Sequence, residues 1–176
     1  MHRQDILITP HRNKPHHAVL RFGPHRARCA IGRTGVTADK KEGDGATPTG
    51  RFALRRLWYR PDRLTPPKPV FPMGIIAPKS GWCDAPDMGA YNRPITRPFA
   101  ASHERLWRRD HLYDVFFELG YNDNPPRENA GSAIFLHLQK NNFQPTLGCV
   151  AVAMPTMLFL IKNAQLGCHI KIQKTA

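Results

Sequence analysis

The stretch FLHLQKNNFQPTLGCVAV, residues 135–152, decides how this chain folds around its most reactive side chains. It contains most of one predicted strand, 133–138, and the start of another, 149–153, and both segments are largely apolar. If these two strands pair antiparallel, the loop between them brings His137 and Cys149 to one end of the sheet. The sequence therefore predicts a Cys–His pair at a strand end.

Apolar segments elsewhere predict further strands, separated by turns at glycine and proline. These predicted strands are 18–22, 27–31, a strand through Phe52 and Leu54, 112–119 and 168–172. A helix is predicted over 155–165, with a buried face of Met157, Leu158, Leu160 and Ile161, and a single helical turn is predicted after Ser102. Proline makes up 17 of the 176 residues, which disfavours a helical bundle. The predicted fold class is mainly β, a small sandwich or barrel with long Pro-rich loops and one C-terminal helix.

The length fits one domain, and we expect residues 1–176 to form it. Five of the nine histidines fall in the first 25 residues, and segment 1–17 is predicted to be mobile and basic rather than a metal site. The four cysteines contain no C-x-x-C pair and are too few for a disulfide framework, so we expect no metal and no cofactor. No apolar run approaches the ~18 residues of a membrane span, and no secretory signal is visible.

The chemistry open to the pair depends on proton transfer between the two side chains. A thiol becomes a nucleophile when a base takes its proton or a cationic His stabilises the thiolate. Gly148 allows close backbone approach, and N–H groups near it can stabilise an oxyanion. We therefore expect Cys149 to react with thiol reagents below its reference pKa of about 8.5, in a manner that depends on His137. The alternative is that Cys149 is a small buried residue and His137 is merely hydrogen-bonded.

Two motifs resemble those of a known family, the L,D-transpeptidase catalytic domain, or YkuD-like, enzymes of peptidoglycan. The first is His137 followed by the pattern T-x-G-C-V at residues 146–150. The second is the pattern T-P-x-G-x-F at residues 47–52, about 100 residues before the cysteine. Further similar stretches extend the resemblance over about residues 18–172 and indicate a compact, stand-alone branch of the family.

The resemblance implies a fold, a reaction and a role for each motif residue. The fold is the mainly β catalytic domain of the family. Cys149 is the nucleophile that attacks an L-centre carbonyl of a stem peptide and forms a thioester. His137 is the general base and then the acid, and the N–H groups near Gly148 and Cys149 form the oxyanion hole. An amine of another stem captures the acyl group to make a cross-link, with Thr146 in contact with the substrate.

The chain departs from the common family pattern at three points. Leu147 stands where many members have His, Ala151 stands where many have Arg, and the interval of 12 residues from His137 to Cys149 is short. The missing guanidinium could otherwise hold a substrate carboxylate, and Arg105 is our candidate to replace it.

Several features of the site stay open at this level. The group that orients His137 is either a backbone carbonyl or a side chain, with Asn122 and Asp123 as candidates. Asn122 is also a candidate contact for the substrate. The donor bond is the L-to-D junction after the first or after the third stem residue. Water could replace the amine as acceptor, which would make the chain a carboxypeptidase or endopeptidase.

The chain is strongly basic, with 26 Lys and Arg residues against 13 Asp and Glu residues. This net charge of +13 first suggests a nucleic-acid-binding module, but no zinc-finger, RNP or basic-helix pattern appears. We expect anionic peptidoglycan stems as the partner, no nucleic acid and no membrane span, while the oligomeric state is not predicted. The resemblance implies the periplasm or cell envelope, and the basic first 63 residues are a candidate wall-binding face.

Overall fold

A computed structural model describes residues 5–175 of the chain. In this range the chain forms fourteen strands, one α-helix and one short 3₁₀ turn over Asn141–Phe143. The strands are β1 (Ile6–His11), β2 (Lys14–Phe22), β3 (His25–Ala30), β4 (Val36–Thr37), β5 (Thr47–Pro48), β6 (Gly50–Tyr59), β7 (Met73–Ile75), β8 (Ser80–Cys83), β9 (Pro94–Thr96), β10 (His103–Arg105), β11 (Val115–Leu119), β12 (Phe135–Leu138), β13 (Val150–Val152) and β14 (His169–Ile172). The helix α1 spans Met154–Asn163. The predicted mainly β fold with one C-terminal helix is confirmed.

The large sheet closes on itself and is barrel-like. Its strand order is β11-β12-β13-β3-β2-β1-β14-β6-β7, and β11 also pairs with β6. This second pairing joins the two ends of the order, so only β7 lies outside the closed ring. Closure removes the free edges that would otherwise expose unpaired N–H and C=O groups.

The inside of this ring is the main hydrophobic core. Successive side chains of a strand point to opposite faces, so alternate residues such as Ile6 and Ile8 are both fully buried. Helix α1 contributes Met157 and Leu160 to the same core. Leu158 is 53% exposed, which corrects the predicted buried face of the helix: its 3.6-residue period turns position 158 to the solvent.

A second, three-stranded sheet lies outside the ring. Strand β8 pairs antiparallel with both β9 and β10, and Glu104 lies opposite Trp82 in the register. The Trp82 ring packs edge-on against Phe135 of β12, with 5.1 Å between centroids. We call this sheet, with its loops, the cap because it covers the outer face of the ring at β12. The helical turn predicted after Ser102 is wrong, since pairing with β8 holds this segment extended.

The N-terminal segment also differs from its prediction. Residues 5–17, expected to be mobile, instead form β1 and the start of β2, and residues 1–4 lie outside the described part. Burial of Ile6 and Ile8 holds β1 between β2 and β14. No helix in residues 5–175 combines the length and apolar character needed to cross a bilayer. Those residues also contain no cluster of His, Cys, Asp and Glu side chains that could hold a metal ion.

Candidate active site

The strands that carry the Cys–His pair run parallel, not antiparallel as the sequence analysis assumed. In the register of β12 and β13, Leu136 pairs with Val150 and His137 with Ala151. The loop between them crosses back over the strand end before β13 begins, and this return lets both strands run in one direction. Parallel pairing still joins the two side chains, because Cys149 stands one residue before Val150.

Alternation along β12 and β13 sorts their side chains onto two faces. Leu136 and Val150 belong to the core inside the ring, whereas Phe135 and Cys149 belong to a separate cluster beneath the cap. His137 is two residues from Phe135, so it shares the outer face with Cys149. Both His137 and Cys149 line a cavity of about 590 Å³ between the ring and the cap.

The Cys149 thiol is held by two backbone groups. Its Sγ donates to the carbonyl oxygen of Ala133 at 3.1 Å and accepts from the N–H of Phe135 at 3.3 Å. Burial raises the pKa of Cys149 to about 12, and the residue is only 8% exposed. This direction is opposite to the lowered thiol pKa expected from the sequence, because burial disfavours the thiolate more than its neighbours stabilise it, and the reaction of Cys149 with thiol reagents stays a prediction.

The His137 ring is fixed in one orientation by a backbone carbonyl. Its Nδ1 lies 2.7 Å from the oxygen of Leu138, and because a carbonyl can only accept, Nδ1 carries the proton. Nε2 is then the unprotonated nitrogen that can accept a proton. Burial lowers the pKa of His137 to about 4, so the ring is neutral at pH 7. The edge-to-face contact with Tyr113, at 5.3 Å between centroids, further restricts the ring.

These two pKa directions determine the resting state of the pair. With a thiol near 12 and an imidazole near 4, the neutral pair is far more stable than a thiolate–imidazolium pair. A neutral resting pair fits proton transfer that accompanies attack on a carbonyl. A thiol and an unprotonated imidazole nitrogen that line one cavity are the groups that general-base-assisted attack on an acyl group requires.

The two sequence motifs, about 100 residues apart, meet at the backbone of Cys149. The hydroxyl of Thr146 donates to the Cys149 carbonyl oxygen at 2.7 Å and accepts from the N–H of Gly148 at 3.2 Å. Thr47 of the upstream motif donates to the same carbonyl at 3.4 Å and accepts from the N–H of Gly32 at 2.8 Å. Thr146 lines the cavity, but these bonds turn its hydroxyl to the backbone, so its visible role is to fix the loop that carries Cys149.

Gly148 is the one loop position where only glycine fits. Its φ is +141°, and an added Cβ would lie 2.9 Å from the carbonyl oxygen of Ala46. Of the two N–H groups expected to bind an oxyanion, that of Gly148 already donates to Thr146, which leaves the N–H of Cys149 as the candidate of the pair.

Two residues named from the sequence lie away from the cavity. Arg105 is exposed on β10, because strand alternation points it away from the face that carries its neighbour Glu104. Asn122 instead organises its own loop: its side chain accepts from the N–H of Arg127 at 2.7 Å and donates to the oxygen of Gly131 at 2.8 Å. Neither of them lines the cavity that contains Cys149.

Other polar side chains, not found by sequence reasoning, line the cavity. The cations are Arg33, Arg108 and Lys140, and the acids are Glu42, Asp84 and Glu104. Arg108 donates to Glu104 at 3.1 Å and to Asp110 at 2.7 Å. No motif spacing identifies these residues, since they come from separate segments, some in the cap and some in loops of the ring, that only the three-dimensional fold brings together.

Comparison with protein families assigns the chain. Residues 13–172 match the family model of YkuD, the L,D-transpeptidase catalytic domain. The match covers nearly the whole chain, so the chain belongs to this family and is an enzyme domain of the class that acts on peptidoglycan. Members of the family usually work in the cell envelope. No curated protein and no solved structure matches the chain at a significant level.

Proposed function

We propose that this chain is a peptidoglycan L,D-transpeptidase, one catalytic domain that uses Cys149 as nucleophile and His137 as base in the periplasm or cell envelope. The carrying observation is that both side chains line one cavity on the same outer face of the sheet, with the His137 tautomer fixed so that Nε2 can accept a proton. The partner is the anionic stem peptide, and no nucleic acid, metal or cofactor takes part.

The first half-reaction transfers the donor acyl group to sulfur. His137 Nε2 takes the thiol proton as Sγ of Cys149 attacks an L-centre carbonyl carbon, and the carbonyl electrons move onto oxygen near the Cys149 N–H. Collapse breaks the C–N bond, and His137 gives the same proton to the departing amine of the D-residue. The product is a thioester on Cys149. The neutral resting pair supports this order, because neither partner needs to be ionised beforehand.

The second half-reaction moves the acyl group to an amine of another stem. The amine nitrogen attacks the thioester carbon, the C–S bond breaks, and the amine proton passes through His137 to the sulfur of Cys149. An amide cross-link forms and the thiol is regenerated. If water took the place of the amine, the product would be a shortened stem rather than a dimer.

Intact mass spectrometry after incubation with a carbapenem, the family's usual acylating inhibitor, tests the nucleophile. We expect one covalent adduct, absent in Cys149→Ala and kept in Cys29→Ala and Cys83→Ala, which remove other buried cysteines. An adduct that survives in Cys149→Ala rejects the assignment of the nucleophile.

Product analysis on purified muropeptides tests the reaction. Cross-linked dimers support transfer, whereas shortened monomers alone would show hydrolysis and overturn the transpeptidase proposal. Fragmentation of the dimers identifies the donor bond, after either the first or the third stem residue.

A further inference from the structure

We propose that Asp84 and Glu104 form the binding site for the acceptor amine, which arrives as a primary ammonium group. This inference rests on the proposed transpeptidase function and names the recognition element of its second half-reaction. It starts from a contrast of charge: in a chain of net charge +13, the cap presents carboxylates to the active-site cavity.

Strand geometry explains why these two carboxylates face the cavity. Glu104 of β10 lies opposite Trp82 of β8, so both side chains stand on one face of the cap sheet. On this face of the cap sheet, the Trp82 ring packs against Phe135, which lies beneath the cap. Asp84 follows two residues after Trp82, at the end of β8, and Asp84 and Glu104 both line the cavity that contains Cys149.

A hydrogen-bonded bridge ties this part of the cap to the nucleophile. The Oδ1 atom of Asn92 accepts from Trp82 Nε1 at 2.9 Å and from the N–H of Ala133 at 3.0 Å. The carbonyl of the same Ala133 accepts from the Cys149 thiol at 3.1 Å. The acidic end of β8 is thus fixed beside the segment that holds Sγ.

The cavity wall formed by Asp84, Glu104 and Ser132 contains one buried polar atom, Oδ1 of Asp84, that has no hydrogen-bond partner within residues 5–175. Ser132 is only 7% exposed, and its hydroxyl lies close enough to Tyr91 to act on the pKa of that phenol. Buried polar atoms in native proteins are normally hydrogen-bonded, so the free Oδ1 beside a reactive centre indicates a missing donor group.

The ion pairs around the cavity favour a cation as the missing donor. Arg108 is already bound by Asp110 at 2.7 Å and Glu104 at 3.1 Å. Burial raises the pKa of Glu104 despite the opposing Arg108, and the neighbouring Asp84 carboxylate adds to this rise. Arg33 and Lys140 also line the cavity, but Asp84 forms no ion pair with a cation within residues 5–175.

A primary ammonium fits this environment. It carries one positive charge and three N–H donors, and the wall offers Asp84 Oδ1, Glu104 and Ser132 Oγ as acceptors. Before attack, the ammonium gives one proton to a wall carboxylate, which later releases it to solvent. The neutral nitrogen then attacks the thioester carbon, and its second proton passes to His137 and on to the sulfur as the C–S bond breaks.

The test separates acylation from acceptor capture in Asp84→Asn, which keeps the shape of the side chain and removes its charge. Acylation is measured as carbapenem adduct formation, and capture as dimer formed from a muropeptide with a free side-chain amine. We expect near wild-type adduct formation, an acceptor KM raised about tenfold, and a dimer-to-hydrolysed-monomer ratio lowered about tenfold.

Glu104→Gln is the second variant and should shift the same ratio in the same direction. Asp87→Asn is the matched control, because it removes an exposed carboxylate three residues from Asp84 that does not line the cavity. An N-acetylated acceptor muropeptide should give equally little dimer with the wild type and Asp84→Asn.

Three results would overturn the proposal. The first is an unchanged acceptor KM and product ratio in both Asp84→Asn and Glu104→Gln. The second is an equal loss of muropeptide donor acylation, which would assign the ammonium to the donor stem. The third is a wild type that only hydrolyses, which rejects the transpeptidase function itself and is seen before any variant is made.

Discussion

The two faces of strands β12 and β13 are both buried, but one carries apolar core side chains and the other carries the Cys–His pair. On the inner face Leu136 and Val150 are fully buried in the core, and on the outer face His137 is 5% and Cys149 8% exposed. The inner-face side chains belong to the main hydrophobic core. The outer face is covered by the cap without being filled, which leaves a cavity beside the reactive groups. A site at this sheet therefore comes from incomplete packing over one face, not from exposure.

Cys29 of β3 and Cys149, which directly precedes β13, show the same contrast between core and cavity. Burial raises the pKa of both Cys29 and Cys149 to about 12. Cys29 pairs with Val152 across β3 and β13 but points into the core, whereas Cys149 points into the cavity that His137 also lines. The thiol pKa of the resting protein does not distinguish Cys149, the proposed nucleophile, from Cys29. Access to a substrate and to a base does.

The largest effect is expected on the outer face. His137→Gln should lower kcat for dimer formation by about 10²–10⁴-fold, the range that general acid–base catalysis supplies. Rates on purified muropeptides measure it, and thermal unfolding should show a well-folded variant. A variant that keeps more than half of the wild-type kcat would remove His137 from the mechanism.

The inner face should respond in the opposite way. Leu136→Ala next to His137 in β12 leaves a cavity in the core and should lower the free energy of unfolding by about 2–5 kcal/mol. Carbapenem adduct formation per folded molecule should stay near wild type. Chemical denaturation measures the first quantity and intact mass the second. If acylation fell in a variant that is still fully folded, the two faces would not be separable.

A third effect follows from the buried imidazole. The pKa of His137 is about 4 in the folded chain against an ordinary 6.5, so the unfolded chain binds more protons between these values. The contribution of the neutral His137 ring to the free energy of unfolding is fully present above about pH 6.5. It is lost as the pH falls toward 4, and the loss is at most about 3 kcal/mol.

Denaturant unfolding at pH 7 and pH 4.5 measures this loss. The decrease should be smaller in His137→Gln than in the wild type, whereas the exposed His11→Gln should behave as the wild type. An identical decrease in the wild type and His137→Gln would mean that the ring is not held neutral.

Much of this arrangement could be predicted from local sequence. Apolar segments bounded by glycine and proline marked most of the ring strands, and the T-x-G-C-V motif pointed to Cys149. Strand direction could not be predicted, because alternation in four-residue β12 is the same for parallel and antiparallel pairing. Both faces of β12 are buried, so its hydrophobicity also could not tell core from site.

The residues missed by sequence reasoning belong to contacts between distant segments. Asp84 and Glu104 come together through the pairing of β8 with β10. Arg105, the cation predicted from the sequence, is exposed on β10 and does not line the cavity, as strand alternation requires of the residue next to Glu104. The N-terminal hairpin was read as mobile since its outer face carries histidines and arginines. Its inner isoleucines, at spacing two, were the signal for a strand.

Away from the cap, the outer face of the ring is strongly basic. The sheet register places four cations in one row across five strands. From β3 to β6 the row is Arg26, Arg21, Leu7, Lys171 and Arg51, each opposite the next. Of these, Arg51 is bound by Asp5 at 2.6 Å. Residues 6–38 contain no Asp or Glu, so Arg21 and Arg26 face each other as two positive charges with no acidic residue in this stretch of sequence.

Of these variants, Arg26→Gln should therefore change the free energy of unfolding least, but it should measurably weaken binding to peptidoglycan. Removing one of two directly opposed like charges should raise the free energy of unfolding by about 0.2–1 kcal/mol. The same change should weaken retention on isolated peptidoglycan at low salt, and the difference from wild type should vanish at high salt because exposed charges are screened. Lys68→Gln removes an exposed cation of a Pro-rich loop outside this row and serves as the matched control. Equal retention of Arg26→Gln and Lys68→Gln would show that net charge, and not this row, attracts the chain to the wall.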